Sequence, residues 1–452
     1  MTSWVEALES YLSDKARKSA VENGKNYSDR EADIAFLNML EEEKEKEKQR
    51  NASYNKIPRF FYKKPQLENP IYLKLRQEAR TRFLHNKSAE ILDKEDLEKL
   101  WYLLKAHTSF PDDGSERMNY DQFCQVANKL PGKYRQFFQP SVFLKCDRDE
   151  YGRIEIIPFF HYIVRKVNLH QTRIQISLYD SAGYGYLKEK DLENFIYELI
   201  PSFPQLASLQ ENFYPFYVIT AVRKFFFFLD PKRTGKIWIK DMLTSSILAE
   251  LYELRQENWS SEEAAQNWFS VQSTLQVYDQ YLRLDLDRNG MLKKSELARY
   301  NGGLTSIFID RLFEEYQTFE GEMDYKAFLD FVLAVENKKS IPSLQFFWRI
   351  IDAYKKGAVD TFVINMFFRA VIQRLESRDK FGFRVEDVKD EIWDMAKPKC
   401  PYAITFEDLV NCGQGDTIVA MLTDAKAFYE YDQRESGIEL EEFDDLWDSD
   451  MF

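Results

Sequence analysis

From about residue 90 onward one spacing recurs: an apolar residue, then five positions later an apolar residue that opens a helix. The pairs are Met118 and Phe123, Ile154 and Phe159, Leu187 and Leu192, and Ile237 and Met242. They continue with Leu292 and Leu297, Met323 and Phe328, Val359 and Ile364, and Ile404 and Leu409. A glycine stands two residues before the first member at Gly152, Gly185, Gly235, Gly290, Gly321 and Gly357. EF-hand helix-loop-helix units have this layout. Loop position 6 is the turn glycine, position 8 is an apolar residue facing a neighbouring loop, and position 13 continues the exit helix. One such spacing carries little; the register of the glycines carries the assignment. The pattern predicts an all-α fold, an elongated array of EF-hand-like helix-loop-helix pairs with most loops degenerate.

Around this array the chain divides by composition. Residues 1–56 read as a charged helical arm, in which Glu41 to Lys48 alternates in sign and supports a solvated face by i,i+4 pairing. Residues 57–135 form an N-terminal helical region containing the first degenerate unit. It opens on the aromatic strip Ile57-Pro-Arg-Phe-Phe-Tyr62, where Pro58 and Pro65 disfavour helix. That strip reads either as a linker stitched to the surface or as a docking strip. Residues 136–270 read as a degenerate EF-hand-like domain, 271–337 as an EF-hand pair with one intact loop, and 338–430 as a C-terminal EF-hand-like domain. The tail, 431–452, is acidic; Leu440, Phe443 and Trp447 lie among seven acids from Glu439 onward, and it reads as a solvated end.

One loop meets the whole calcium template. In the stretch from Asp285 to Glu296, side-chain oxygens fall at positions 1, 3 and 5 (Asp285, Asp287, Asn289), glycine at 6 (Gly290) and glutamate at 12 (Glu296). A hard dication needs six to eight oxygens, so Met291 adds its carbonyl and Glu296 closes the shell from the exit helix. Lys293 occupies position 9, where an ammonium has no lone pair to offer, and so tempers the affinity. The loop's mid-chain place implies that calcium stiffens a junction between two halves of the array. The Gly321 unit is its expected partner, with Leu292 and Met323 facing each other.

The other loops are impoverished. The 147–158 loop keeps Asp147 and Asp149 but ends on Pro158. The 180–191 loop has no oxygen at position 3, and 230–241 places Lys232 and Lys236 at positions 3 and 7. The Gly357 loop keeps only Asp352. These read as metal-free scaffolds.

Composition narrows the function. Lys plus Arg is 62 against 75 Asp plus Glu, a net charge of −13, which argues against a nucleic-acid partner. The most apolar stretch, Phe213 to Leu229, is interrupted by Arg223 and Lys224, so it reads as a buried helix and no membrane partner is expected. The start of the chain shows no secretory signal. The four cysteines, Cys124, Cys146, Cys400 and Cys412, show no metal spacing and read as buried thiols of a reducing compartment. Arg233-Thr-Gly-Lys-Ile237 lacks the glycine and hydroxyl residue of a phosphate loop. Without a nucleophile or dinucleotide motif the chain reads as a non-enzyme, with no catalytic or organic-cofactor residues.

With these residues in view, the sequence resembles the B″ regulatory subunits of protein phosphatase 2A, most closely the gamma type. The likeness lies in Ile57 to Tyr62, His170-Gln-Thr-Arg-Ile174, Ser177-Leu-Tyr-Asp180 and Ala221 to Pro231 with its four consecutive phenylalanines. It continues through Arg233 to Ile237, Asp285 to Glu296, Gly321 to Lys326, Asp387 to Glu391 and Asn411 to Thr417. It covers roughly 55–425. It implies a non-catalytic subunit that docks on the HEAT-repeat scaffold beside the catalytic subunit and directs its substrate choice and location. Only the Asp285 loop carries over as a Ca2+ site. Gamma-type members are associated with centrosomes, microtubule organisation and the nucleus, so the expected locations are cytoplasmic, nuclear and centrosomal, with centrosomal or cytoskeletal proteins as further partners. The competing reading is a phosphatase-independent calcium-binding cytoskeletal or centrosomal adaptor. A sensor of that kind opens a methionine-rich groove, and this chain has only 10 Met, thinly spread.

Overall fold

A computed structural model describes residues 70–109, 115–180, 183–316, 318–377 and 382–435, together with Ile34, Leu37, Asn38, Glu41, Glu42, Glu45 and Lys46. The strip at 57–62 and the tail from Glu439 lie outside the described residues. Two units are distinguished, Met1–Arg76 and Gln77–Phe452. In the first, the seven described residues before 70 are helical and exposed, and Lys46 pairs with Glu42 at 3.5 Å. Such exposed i,i+4 pairs contribute little beyond solvation.

In the second unit the eight position-8 residues set the architecture. They pair two by two as short antiparallel strands: Met118 with Ile154, Leu187 with Ile237, and Val359 with Ile404. Leu292 and Met323 form the equivalent bridge, exchanging two N–H···O bonds of 2.8 Å. All eight are at most 3% exposed, and each position-13 residue is buried as well. The expected facing of Leu292 and Met323 is therefore present, within a series of four loop pairs. A loop bridge of two or three residues is too short to hold two helix pairs together. The burial of these sixteen side chains does so, at roughly 1.5–3 kcal/mol each.

The pairing relocates the divisions drawn from sequence. Met118 and Ile154 belong to one pair, so the expected boundary at 135/136 falls between its members. One core runs from Leu92 to Val167, and another runs without interruption from Ile176 to Phe428. Neither 270/271 nor 337/338 is a break in the second core. The changeover lies on the helix Ile156–Tyr179, whose 24 residues leave the second loop and enter the third. At 1.5 Å per residue it is about 36 Å long. Val167 packs in the first core and Ile176 in the second. The Asp285 loop thus sits inside a continuous core and does not join two halves. Local spacing does not mark this changeover, because an amphipathic helix shared by two cores shows the same periodicity as one serving a single core.

The apolar stretch is the helix Tyr214–Leu229, started by Pro215 in its first turn and burying eight residues. Its two charges are answered inside the fold. Arg223 holds Asp330, and Lys224 holds Glu250 at 2.7 and 2.6 Å. No helix among the described residues is long and apolar enough to cross a membrane. Cys124, Cys146 and Cys412 are half-buried and Cys400 is exposed, all as free thiols, so the expectation of buried thiols does not hold.

Candidate metal centre

The Asp285 loop is set between the helix Val271–Leu284, capped by Ser270, and the short helix Lys294–Leu297. Leu284 is buried, so the chain leaves the core directly into Asp285. The Asp285 carboxylate, 5% exposed, accepts the Asn289 N–H at 3.2 Å and the Gly290 N–H at 2.9 Å. Gly290 has φ +81°, and nothing lies within 4 Å of where its Cβ would be. The turn needs glycine for its backbone angle, not for space.

Glu296, 4% exposed, reaches back from the exit helix to accept the Leu286 N–H at 3.0 Å and the Lys293 N–H at 2.8 Å. One carboxylate atom from each of Asp285, Asp287 and Glu296 lies within 4.8 Å of the others. Three carboxylates gathered so closely, two of them buried, suit a hard cation with oxygen preference. Asn289 lies beside them, its Oδ1 accepting the Met291 N–H at 2.7 Å and its Nδ2 donating to Glu322 at 3.1 Å.

Lys293 does more than withhold a ligand. Its ammonium is ion-paired with Asp287 and lies 3.8 Å from Glu322. Asp287 is held below the usual carboxylate range by the Lys293 hydrogen bond, against some desolvation. The loop therefore carries its own cation on one of its three acids. Sequence reasoning missed Glu322. The antiparallel register of Leu292 with Met323 places residue 322 opposite residue 293, so the contact follows once the pairing is known.

The degenerate loops close their turns through the first carboxylate and the glycine. Asp180, Asp230 and Asp352 each accept the N–H groups of their turn, at 2.7 Å from Gly185, 2.6 Å from Gly235 and 2.8 Å from Gly357. Position 1 and the glycine together close the turn through these bonds. Side-chain cations complete two of these loops. Arg80 pairs with Asp180 at 3.1 Å and donates to the carbonyls of Asp180 and Ser177. In the 147–158 loop, Arg153 and Arg117 both reach Asp149, at 2.8 and 3.2 Å, while Asp147 is exposed. Burial would raise the Asp149 pKa, but hydrogen bonds from Arg153 and Arg117 hold it at about 2. Two guanidinium groups thus offset the Asp149 charge from within the loop pair.

Against known proteins, the EF-hand domain family matches residues 170–257, which span the third and fourth loops. The human gamma member of the B″ regulatory subunits of serine/threonine-protein phosphatase 2A is 51% identical over 413 residues, 90% of each chain. The gamma member from Danio rerio is 51% identical over 403 residues, 88% of each. A probable B″ member from Arabidopsis thaliana, TON2, is 41% identical over 414 residues, 88% of this chain and 86% of its own. Among solved structures, a chain of a PP2A PR70 holoenzyme aligns with a TM-score of 0.49 at 23% identity, covering 54% of this chain and 93% of that one.

Proposed function

The chain belongs to the B″ family of protein phosphatase 2A regulatory subunits, and from that premise we propose that it is a non-catalytic subunit that docks on the scaffold and catalytic subunits and directs their substrate choice and location. The observation that carries this reading is 51% identity sustained over 90% of both chains. Its place in the cytoplasm, with nuclear and centrosomal pools and cytoskeletal partners, is a further part of the proposal.

The same proposal gives the Asp285 loop a calcium ion. Asp285, Asp287, Asn289, the Met291 carbonyl and Glu296 would hold it, and the three carboxylates support that choice. Bound, the ion neutralises acids that otherwise repel one another. The protein residues do the rest. Gly290 turns the chain, Glu296 ties the exit helix to Leu286, and the Leu292–Met323 bridge fixes the loop against its neighbour.

Affinity capture of the tagged chain from cells, read by mass spectrometry, tests the assignment. Recovery of scaffold and catalytic phosphatase subunits in amounts close to the bait is expected. Their absence, with cytoskeletal proteins recovered instead, would favour the adaptor.

A further inference from the structure

Away from the loops' metal positions, a recess of about 540 Å³ opens where the turn of the 230–241 loop meets the helices Tyr325–Glu336 and Ile341–Ile351. Three guanidinium groups line it, Arg223, Arg233 and Arg349, beside the rings of Phe227, Tyr316 and Phe346. Arg223 is neutralised by a two-pronged pair with Asp330, at 3.0 and 2.5 Å. The other two are not paired with a carboxylate among the described residues. Arg349 donates to the Pro231 carbonyl at 2.5 Å and forms no ion pair among the described residues. Arg233, held at φ +57°, lays its guanidinium 3.7 Å from the centre of the Tyr316 ring and likewise has no ion pair among them.

The remaining acids of the recess are committed elsewhere. Asp230 closes its own turn, Asp324 caps the helix that follows it, and Glu189 holds Lys326 at 2.7 Å. Tyr316 is 6% exposed, and its hydroxyl faces the Arg349 guanidinium but has no acceptor for its own proton. Burial pushes the Arg233 guanidinium down, and the neighbouring Arg349 and Arg223 charges add to this against the pull of Tyr316 and Asp330. Arg349 is half-buried and Arg233 exposed, so both guanidinium groups remain open to an incoming anion, while a buried hydroxyl without an acceptor is costly. One oxyanion would answer both, because a guanidinium fork matches the oxygens of phosphate or carboxylate.

We propose that this recess binds an anionic side chain of a partner polypeptide, a phosphate monoester or a carboxylate, with an adjacent apolar residue against the aromatic wall. A free ion would leave that wall and most of the volume uncovered, whereas a peptide segment fills a recess of this size. The recess shares no residue with the Asp285 loop, so the proposal rests neither on calcium nor on phosphatase assembly.

Fluorescence polarisation on the full chain tests it, with four probes: labelled acetyl-Phe-phosphoserine-Leu-amide, its glutamate and serine counterparts, and inorganic phosphate as competitor. The phosphoserine and glutamate peptides are expected to bind, the serine peptide at least about tenfold more weakly. Tyr316→Phe removes a hydroxyl that has no acceptor and keeps the ring, so the fold is spared, and binding of both anionic peptides should fall about threefold. Arg233→Gln should weaken them about tenfold or more, with a melting temperature matching the wild type. A preference of at least fivefold for phosphoserine assigns the site to phosphate; comparable binding assigns it to either oxyanion. Equal binding of the serine peptide, no effect of Arg233→Gln, or displacement by inorganic phosphate as readily as by unlabelled phosphopeptide would overturn the proposal.

Discussion

Replacing Lys293 by glutamine should make the Asp285 loop bind calcium more tightly. In the structure the Lys293 ammonium is ion-paired with Asp287 and close to Glu322, so an arriving dication meets a resident charge on one of its three acids. Both Lys293 and Asp287 are substantially exposed, at 47% and 40%, so the dielectric of water governs their interaction. A unit charge about 5 Å from a dication then shifts the binding constant roughly tenfold. Screening at 0.15 M salt, with a length of about 8 Å, reduces that to about fivefold. Competition against a fluorescent calcium chelator measures it. Lys293→Gln should gain about fivefold at 0.15 M salt, and less at 0.5 M. Lys294→Gln, whose partner is Asp310, should gain less than about twofold. Equal affinity of Lys293→Gln and wild type at both salt concentrations would show that the ammonium does not compete, and the reading of this loop as self-opposed would fail.

Calorimetry should count one calcium per chain with affinity on the order of 10⁻⁷–10⁻⁵ M, towards the weak end, and none in Glu296→Gln; two tight sites would show that a guanidinium-filled loop still takes metal. Met323→Ala empties a fully buried position opposite Leu292 and should cost about 2–5 kcal/mol in denaturant unfolding while also weakening calcium; a loss below about 1 kcal/mol would mean the loop bridge is dispensable. Asp149 titrates at about 2, below its ordinary 3.8, so its contribution to stability is present above the ordinary value and lost as pH falls towards 2. Melting curves between pH 5 and 2 should therefore diverge between wild type and Asp149→Asn, and parallel curves would refute the assignment. Because the Asp285 loop lies within a continuous core, chelating calcium should weaken scaffold binding by no more than about tenfold; abolition would show that the ion organises the docking surface itself.

The loop positions were legible from sequence because each rests on local chemistry. Asp285, Gly290 and Glu296 declare a turn and a closing carboxylate within twelve residues, and the apolar residues at positions 8 and 13 repeat in step with them. Long-range partners were not legible. Arg80 lies a hundred residues from the Asp180 it pairs with, and Arg117 reaches Asp149 from the opposite loop. Nothing in the local spacing marks either arginine. The division of the core is not marked locally for a related reason. Helix Ile156–Tyr179 serves two cores in turn, and the pairing of Met118 with Ile154 depends on which loops meet in space. Glu322 falls between these cases, since it follows from the expected facing of Leu292 and Met323 by a single step of register.

Reconstitution of the purified chain with the scaffold and catalytic subunits of protein phosphatase 2A, sized by mass photometry, tests the central claim most directly. A complex containing one copy of each of the three proteins is predicted in buffered calcium. A scaffold–catalytic dimer that stays separate from this chain, with calcium or without it, would contradict the account.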